Sequence, residues 1–399
     1  MKIVVLDGYT ENPGDISWAP LEALGAVTVY DRTAYEESPL IAERIGDAEV
    51  IVINKTPISK ATIDACPNLK AIAVLATGYN VVDYEYARTK NIPVMNVPVY
   101  GTDNVSQFAI GLLLEACSHI GDHDRSVHAG EWASNPDWCY WHHPMIEVSG
   151  KTAGIIGLGR IGVNTAKVLR ALNVRVLASD AHESDAGRAV AEYVSLDELL
   201  AQSDFIFLHC PLFPATEGII NAANIAKMKD GIILINNSRG PLVVEADLAA
   251  ALESGKVRLY VTDFANPLSV TFPQAIVTPH LGASTEEAED HCAVMAVKEL
   301  MDYLDNGNIR NSVNYPDCDM GVPAGAQRIA LLHKNVPNMI GQISSVLAKQ
   351  NINIDNMTNK SRGAYAYTLL DLETCLTAED EAALRAIPGV IRFRAVTGG

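Results

Sequence analysis

The sequence has few basic residues and no closely paired cysteines, and each shortage argues against a class of protein. Lys and Arg number 30 against 48 Asp and Glu, which gives a formal net charge of −18. Nucleic acids and anionic membranes bind positive surfaces, so neither is an expected partner. The seven cysteines are scattered and never spaced as CxxC. That pattern favours a reducing cytosol over a disulfide framework.

Long hydrophobic runs and common catalytic motifs are also missing. The first apolar run ends at Asp7, too early for a signal peptide. The run AIGLLLEAC at 109–117 is too short to span a bilayer. No HExxH motif, Cys/His quartet or GxSxG motif occurs, so neither a metal site nor an activated serine is predicted. We expect a cytoplasmic protein that binds no metal.

The sequence does contain a repeated alternation of short apolar strands and helices. A chain of 399 residues is expected to form two or three domains, and the alternation predicts parallel sheets. One series fills the first hundred residues and a second runs from 151 to 279. Between them, 104–123 has the periodicity of one long helix. An Asn-, Gly- and Pro-rich stretch at 305–326 predicts a linker, and the remainder has the pattern βαββαβ.

A glycine motif opens the second series. The stretch GIIGLGRIG places Gly157, Gly159 and Gly162 after a strand and at the start of a helix. Such glycines permit a tight turn and close approach to a pyrophosphate, although a glycine-rich turn can be purely structural. The next strand ends in Asp180, about 20 residues further on, where a carboxylate binds ribose hydroxyls. The pair predicts a dinucleotide site, and the charge of Asp180 favours NAD over NADP.

Two residues at strand ends are candidates for the chemistry. His280, in TPHLG, follows a short apolar run and is suited to acid–base catalysis. Arg239, in NNSRG, can bind a substrate carboxylate through its guanidinium, with an ion pair to Glu245 as the alternative. A catalytic histidine usually has a carboxylate partner. In the stretch before His280, the position where such a carboxylate is expected holds Asn266.

In this order, GIIGLGRIG, HCPL, NNSRG, VTDF and TPHLGAST resemble the D-isomer-specific 2-hydroxyacid dehydrogenases. The resemblance extends to residue 315. The stretch HKNVPNMIGQISSVLAKQNINIDNM resembles an ACT domain of the type carried by D-3-phosphoglycerate dehydrogenases. MKIVVLDGYTENPGD, LATGYNVVD, YGTDNVSQF and SVHAGEW are more similar to the D-glycerate dehydrogenase (hydroxypyruvate reductase) branch.

The resemblance implies an α/β protein with two Rossmann-like, doubly wound parallel-sheet lobes and a C-terminal βαββαβ ACT domain. The implied domains are a substrate-binding lobe at 1–100 completed by 287–312, an NAD-binding domain at 101–286, a linker at 313–326 and an ACT regulatory domain at 327–399. The family's active site lies in a cleft between the lobes. A homodimer or homotetramer is implied as well.

The resemblance also implies residue roles. His280 is the acid/base and Arg239 the substrate-binding arginine; where the family usually has a glutamate this chain has Asn266, so the partner of His280 stays open between Asn266, Glu286 and Glu287. The NAD positions are Gly157, Gly159, Arg160, Ile161, Gly162, Asp180, Cys210, Pro211, Asn237, Ser238, Asp263 (near the nicotinamide carboxamide) and Gly282. The substrate positions are Lys55, Thr77, Gly78, Tyr79 and Arg239. The positions for an L-serine effector are His333, Asn335 and Asn353.

Three functions follow as hypotheses. The first is NAD-dependent oxidation of D-3-phosphoglycerate, the first step of L-serine biosynthesis, with feedback regulation through the ACT domain. The second is D-glycerate dehydrogenase, or hydroxypyruvate (glyoxylate) reductase, activity. The third belongs to another class: a dinucleotide-sensing binding protein with little catalytic activity.

Overall fold

A computed structural model describes residues 1–10 and 17–396, and the chain divides into two compact units. The first unit combines Met1–Tyr100 with Glu286–Gly399, and the second is Gly101–Thr285. Residues 11–15, at the end of the stretch MKIVVLDGYTENPGD, and the last three residues of the expected ACT domain lie outside the described residues. In the described part of the chain, no helix is both long and apolar enough to cross a membrane.

The N-terminal part of the first unit is a five-stranded parallel sheet of order β2-β1-β3-β4-β5. Its strands are β1 Lys2–Val5, β2 Ala26–Val29, β3 Val50–Ile53, β4 Ala71–Val74 and β5 Val94–Asn96. Its helices are α1 Ala19–Glu22, α2 Pro39–Ile45, α3 Lys60–Ala65 and α4 Tyr84–Thr89. The central strands are buried along their whole length, which explains why they are continuous apolar runs rather than alternating ones.

The second unit is a seven-stranded parallel sheet of order β12-β11-β10-β9-β6-β7-β8. Its strands are β6 Thr152–Ile156, β7 Arg175–Ser179, β8 Glu192–Tyr193, β9 Phe205–Leu208, β10 Ile232–Asn236, β11 Val257–Thr262 and β12 Ala275–Val277. Its helices are α5 Thr102–Ser118, α6 Ile120–His128, α7 Glu131–Ser134, α8 Arg160–Ala171, α9 Asp185–Arg188, α10 Leu196–Gln202, α11 Ala222–Lys227 and α12 Glu245–Glu253. The strand order reverses between β6 and β9, which is where doubly wound sheets bind ligands.

The prediction of one long helix over 104–123 is wrong, because two helices occupy this stretch. His119 takes a left-handed conformation, with φ +49°, and separates α5 from α6. An L-residue in that region cannot continue a right-handed helix. The apolar period of the sequence passes through this break without a signal.

The chain then returns to the first unit through α13 Glu286–Met301, which continues as a π-helical turn over Asp302–Asn306. A four-stranded antiparallel sheet of order β14-β15-β13-β16 follows. Its elements are β13 Gln327–Lys334, α14 Met339–Lys349, β14 Ile354–Arg362, β15 Tyr365–Leu372, α15 Ala378–Arg385 and β16 Val390–Val396. The predicted βαββαβ order of this C-terminal module and the two parallel sheets are therefore confirmed.

The C-terminal module is packed on both faces of its sheet. Helices α14 and α15 cover one face. The other face, including Leu332 and Tyr367, shares a buried core with α13 and with the N-terminal sheet of the same unit.

Residues 313–326, which composition predicts as a linker, include buried side chains. Tyr315 and Cys318 are almost fully buried in the core of the first unit. The Asn314 side chain accepts a hydrogen bond from the Val94 amide at 2.9 Å. The Val313 amide also donates to the Val94 carbonyl at 2.9 Å, so asparagine side chains and isolated backbone bonds fix the segment without any hydrophobic period.

Candidate active site

The predicted site residues of the second unit all follow strands of one parallel sheet. The carboxyl ends of parallel strands meet at one edge, so residues far apart in the chain are gathered there. In strand order these residues are Asp180 after β7, Gly157 after β6, Cys210 after β9, Asn237 to Arg239 after β10, Asp263 after β11 and His280 after β12.

The glycine turn after β6 combines two close contacts with one open position. Gly157 has φ +93°, and a Cβ there would lie 2.4 Å from the Cys210 amide nitrogen. A Cβ at Gly162 would lie 2.5 Å from the Gly157 carbonyl oxygen. At Gly159 a Cβ would meet nothing within 4 Å. Two glycines are thus required by the protein's own packing, and the third borders space at the start of α8.

That open space has the polarity an anionic group needs. Arg160 and Ile161 begin α8, and first-turn amides have no acceptor within their helix. Together with the helix dipole they attract a phosphate. Nearby, both polar side-chain atoms of Asn237 are buried without a hydrogen-bond partner in the described structure. Buried amides are normally bonded, so Asn237 and the open Gly159 position fit a bound dinucleotide.

Asp180 is tied to the glycine turn. Its Oδ2 accepts a hydrogen bond from the Leu158 amide at 2.6 Å, and its Oδ1 accepts one from the His182 amide at 2.8 Å. The carboxylate therefore fixes the turn and stands at the end of β7. Carboxylate oxygens have further lone pairs with which to accept from ribose hydroxyls.

The strand end at His209 and Cys210 is uncharged, with Cys210 buried and His209 half-buried. Burial lowers the pKa of His209 to about 4 and raises the pKa of the Cys210 thiol to about 11. The His209 Nε2 lies 3.1 Å from the Thr165 hydroxyl. Ser238 donates a hydrogen bond to the Cys210 carbonyl. His209 was not predicted as a site residue; its neutral ring joins α8 to the end of β9.

His280 is held in one tautomer by the backbone. Its Nδ1 lies 3.1 Å from the Asp263 carbonyl oxygen, and since a carbonyl only accepts, Nδ1 carries the hydrogen. Nε2 is therefore the nitrogen that gains and releases a proton. The backbone has φ +64° and the side chain is 45% exposed, so the ring reaches solvent from a constrained position.

Asp263 serves the loop that carries His280. The carboxylate is 4% exposed and accepts hydrogen bonds from the Thr278 hydroxyl at 2.7 Å, the Leu281 amide at 2.9 Å and the Gly282 amide at 2.8 Å. The sequence placed Asp263 and Gly282 among the cofactor positions. The structure bonds them to each other, because the loop after β12 turns back over the end of β11.

The side chain of Asn266, one candidate partner of His280, bonds to other residues. The Asn266 amide donates to Glu245, and its Oδ1 accepts from the Leu268 and Ser269 amides at 2.9 Å. Asn266 thus caps a short helical turn. Glu245, the alternative partner of Arg239, accepts this amide. Glu286 and Glu287 belong to the first unit, and their role as partners of His280 stays a prediction.

Phe264 packs against both catalytic candidates, although it is not among the site residues predicted from the sequence. Its ring centroid lies 4.7 Å from that of His280 and 5.7 Å from the Arg239 guanidinium carbon. Arg239 is further oriented by a 2.6 Å hydrogen bond to the Ser238 carbonyl. The available signal was the VTDF motif, in which Phe264 follows the strand-end aspartate.

In the first unit, the proposed substrate residues also follow adjacent strands. The buried Asp7 carboxylate accepts the amides of Asn54, Lys55 and Thr56 at 2.5–2.8 Å and so fixes the turn after β3. After β4, the Thr77 hydroxyl donates to the Val97 carbonyl at 2.9 Å. The structure therefore brings Lys55 and the 76–80 loop, with Gly78 and Tyr79, to one edge of the sheet.

The three proposed effector residues are not brought together within one chain. His333 is 2% exposed, and its ring bonds to the Thr368 hydroxyl at 2.7 Å and to the Lys334 carbonyl at 2.8 Å. Asn335 lies beside the β14–β15 turn, whereas Asn353 precedes β14 at the far end of the sheet. At ~3.3 Å per residue, the nine residues of β14 separate the two asparagines by roughly 30 Å.

The glycine turn, the strand-end carboxylate and the topological switch point define the second unit as a dinucleotide-binding domain. Residues 110–282 match the family model described as D-isomer specific 2-hydroxyacid dehydrogenase, NAD binding domain. A hydroxypyruvate reductase of Blautia hydrogenotrophica is 52% identical over 323 residues, covering 79% of this chain and 100% of the relative. The chain belongs to the D-isomer specific 2-hydroxyacid dehydrogenase family.

More distant relatives and solved structures agree with this assignment. A D-3-phosphoglycerate dehydrogenase of Haemophilus influenzae is 30% identical over 408 residues, covering 99% of this chain and 97% of the relative. The crystal structure of a glyoxylate reductase from Paecilomyes thermophila superimposes with a TM-score of 0.67 at 26% identity, covering 78% of this chain and 98% of that one.

Proposed function

We propose that the protein reduces hydroxypyruvate to D-glycerate with NADH and catalyses the reverse oxidation. The carrying observation is the 52% identity to a hydroxypyruvate reductase along that relative's entire length. The sequence favoured phosphoglycerate oxidation because of the C-terminal module. We reverse that order because phosphoglycerate dehydrogenase relatives share about 30% of their residues with this chain.

In this proposal each side chain has one task. Arg239 and the backbone amides of Thr77 and Gly78 bind the substrate carboxylate. Bound NADH supplies the hydride for C2. His280, protonated on both nitrogens, keeps its Nδ1 hydrogen on the Asp263 carbonyl and gives its Nε2 proton to the C2 oxygen, so that a ketone becomes a hydroxyl. In the oxidative direction Nε2 takes that proton back.

Oxidation of D-3-phosphoglycerate is the second candidate. It is favoured by the extent of alignment, because the Haemophilus relative covers 99% of this chain while the Blautia reductase leaves about a fifth without a counterpart. The chemistry at C2 is the same, and only the recognition of a phosphate at C3 differs.

A substrate panel separates the candidates. The measurement is kcat/KM with NADH for hydroxypyruvate, glyoxylate and 3-phosphohydroxypyruvate, and we expect hydroxypyruvate to lead by about tenfold, or about 1.4 kcal/mol. A lead for the phosphorylated acid would instead establish the second candidate. No turnover with any 2-oxo acid would leave a dinucleotide-binding protein.

Arg239→Lys tests the carboxylate-binding role in the same assay. Lysine keeps the charge but loses the planar pair of donors, so kcat/KM should fall by about tenfold or more. Arg258→Lys, in the same unit and bonded to the Pro144 carbonyl, is the matched control and should keep wild-type kinetics.

We also propose that the C-terminal module is a regulatory domain of the ACT type that binds L-serine. Its βαββαβ order and the exposed Asn335 and Asn353 support this. Within one copy of the module the two asparagines lie at opposite ends of the sheet. A site that uses both therefore needs two copies of the module. Calorimetry with L-serine on wild type and Asn353→Ala tests it, and the absence of heat at millimolar serine with wild type would reject it.

A further inference from the structure

A chain of partly buried hydrogen bonds runs through the first unit from α13 to the proposed substrate loop. The Asn311 amide donates to Glu299 at 2.6 Å. The Asn311 carbonyl accepts the backbone amide of Asn96 at 3.2 Å. The Asn96 side chain in turn donates to the Thr77 carbonyl at 2.7 Å. Glu299 and Asn96 are each 7% exposed, whereas Asn311 is half-buried and Thr77 is exposed, so these bonds are partly shielded from water.

Asn311 is the junction of this chain. It has φ +51°, a left-handed conformation that asparagine tolerates better than most residues. Its side chain reaches back to α13 while its carbonyl pairs with the end of β5. The segment therefore has a defined position relative to the sheet, although it belongs to no helix or strand.

The C-terminal module contacts the same segment. Arg362, the last residue of β14, donates to the Ser312 carbonyl at 2.9 Å and to the Tyr315 carbonyl at 3.3 Å. A displacement of the β14–β15 hairpin would thus act on the residue next to Asn311. Partly buried hydrogen bonds of this kind restrict the geometry of the segment, because leaving a partly buried polar group without its partner costs free energy.

We infer that Asn311 is a positioning residue for the substrate reaction: it holds the Thr77 loop through Asn96 and links that loop to the C-terminal module through Arg362. The inference rests on the proposed role of the Thr77 loop in binding the substrate carboxylate. It predicts that loss of the Asn311 side chain changes both the mobility of the Thr77 loop and the binding of substrate.

Hydrogen exchange tests the mobility of the loop in the full-length protein and needs no activity. Asn311→Gly suits the left-handed backbone and removes the side chain, and Asn96→Ala removes the bond to Thr77. Both should speed exchange of the amides at 75–79 by about threefold or more. Asn91→Gly is the control, because Asn91 is also left-handed, at φ +63°, and lies in the same unit outside the network.

Steady-state kinetics test the consequence for substrate. In Asn311→Gly, KM for hydroxypyruvate should rise about fivefold while kcat stays within about twofold, with NADH affinity unchanged. If wild type prefers another 2-oxo acid, that acid is used, so failure of the proposed substrate leaves this test intact. Unchanged exchange at 75–79, unchanged KM, or an equal effect from Asn91→Gly would overturn the inference.

Two further variants test the ends of the network. Glu299→Gln keeps an oxygen that accepts the Asn311 amide, so its KM should match wild type, whereas Glu299→Ala should match Asn311→Gly. Arg362→Ala should also raise KM, and Arg362→Lys should raise KM less than Arg362→Ala does. Wild-type KM in both Glu299→Ala and Arg362→Ala would contradict the proposed network.

Discussion

At the residue scale, Asp263 contributes charge as well as loop geometry to His280. Its Oδ2 lies 3.8 Å from the His280 Nδ1, and a nearby negative charge stabilises an imidazolium. Reduction needs the imidazolium as proton donor. Asp263→Asn should therefore move the alkaline limb of kcat/KM for reduction to lower pH, by about half a unit because solvent weakens a charge interaction at an exposed ring.

Thr278→Val is the control for this prediction, since it removes one of the three hydrogen bonds to Asp263 but keeps the charge. Its pH profile should coincide with that of wild type. An unshifted profile in Asp263→Asn, or an equal shift in Thr278→Val, would show that the carboxylate acts through loop geometry alone.

Asp180 carries the second prediction at this scale. A carboxylate after β7 repels a 2′-phosphate, so NADH should exceed NADPH in kcat/KM by about tenfold, or about 1.4 kcal/mol. Asp180→Asn keeps an oxygen for the Leu158 amide and removes the charge, and should narrow the ratio. Equal use of both cofactors by wild type would remove Asp180 from its assigned role.

The site residues that the sequence predicted are those set by local spacing. Gly157 and Asp180 follow consecutive strands, so a motif with its spacing is enough to place them. The bonds of Asn266 to Glu245 and of Gly282 to Asp263 join residues 21 and 19 apart in the chain. No local pattern encodes such pairs, so the sequence could not predict that Asn266 bonds to Glu245 or that Asp263 bonds to Gly282.

At the element scale, α13 contains a buried acid with a measurable cost. Burial raises the pKa of Glu299 to about 7 from a usual 4.5. The folded state then holds a proton that the unfolded state releases, so the free energy of unfolding should fall between about pH 4.5 and 7 and level off above. The difference is at most about 3 kcal/mol.

Glu299→Gln removes this dependence. The variant should unfold at a higher temperature than wild type at pH 8 and at nearly the same temperature at pH 5, as measured by calorimetry at both pH values. An equal difference at the two pH values would mean that Glu299 does not change its protonation in this range.

At the scale of elements, the sequence predicted what is periodic. Strands β3 and β4 and helix α13 carry continuous or helical apolar patterns and were expected. The break at His119 and the buried packing of Tyr315 have no such pattern: one depends on a single backbone conformation and the other on contacts with the C-terminal module. Both follow from tertiary structure, which a local window cannot contain.

At the scale of the whole molecule, the C-terminal module contains a buried ion pair. The Arg328 Nε lies 2.6 Å from the Asp371 Oδ1, with the two side chains 0% and 1% exposed, and the Arg328 Nη1 donates to the Asn306 carbonyl at 3.0 Å. Arg328→Met should lower the free energy of unfolding by about 3–5 kcal/mol, because it leaves a buried carboxylate unpaired.

Urea unfolding measures this loss, and an exposed pair provides the comparison. Arg385→Met breaks the Arg385–Glu381 pair, whose arginine is 53% exposed, and should cost less than about 1 kcal/mol. The double variant Arg328→Met with Asp371→Leu should recover stability relative to Arg328→Met. A cost for Arg328→Met as small as that for Arg385→Met would contradict the buried-pair account.

In the function that we propose, His280 carries the proton in NADH-dependent reduction of hydroxypyruvate. The direct measurement is kcat/KM for hydroxypyruvate in wild type, in His280→Asn and in the exposed-residue control His291→Asn, with NADH affinity followed by fluorescence. We predict that His280→Asn loses about 100-fold or more and binds NADH as wild type does, and that the control is unaffected. Wild-type turnover in His280→Asn would contradict the claim.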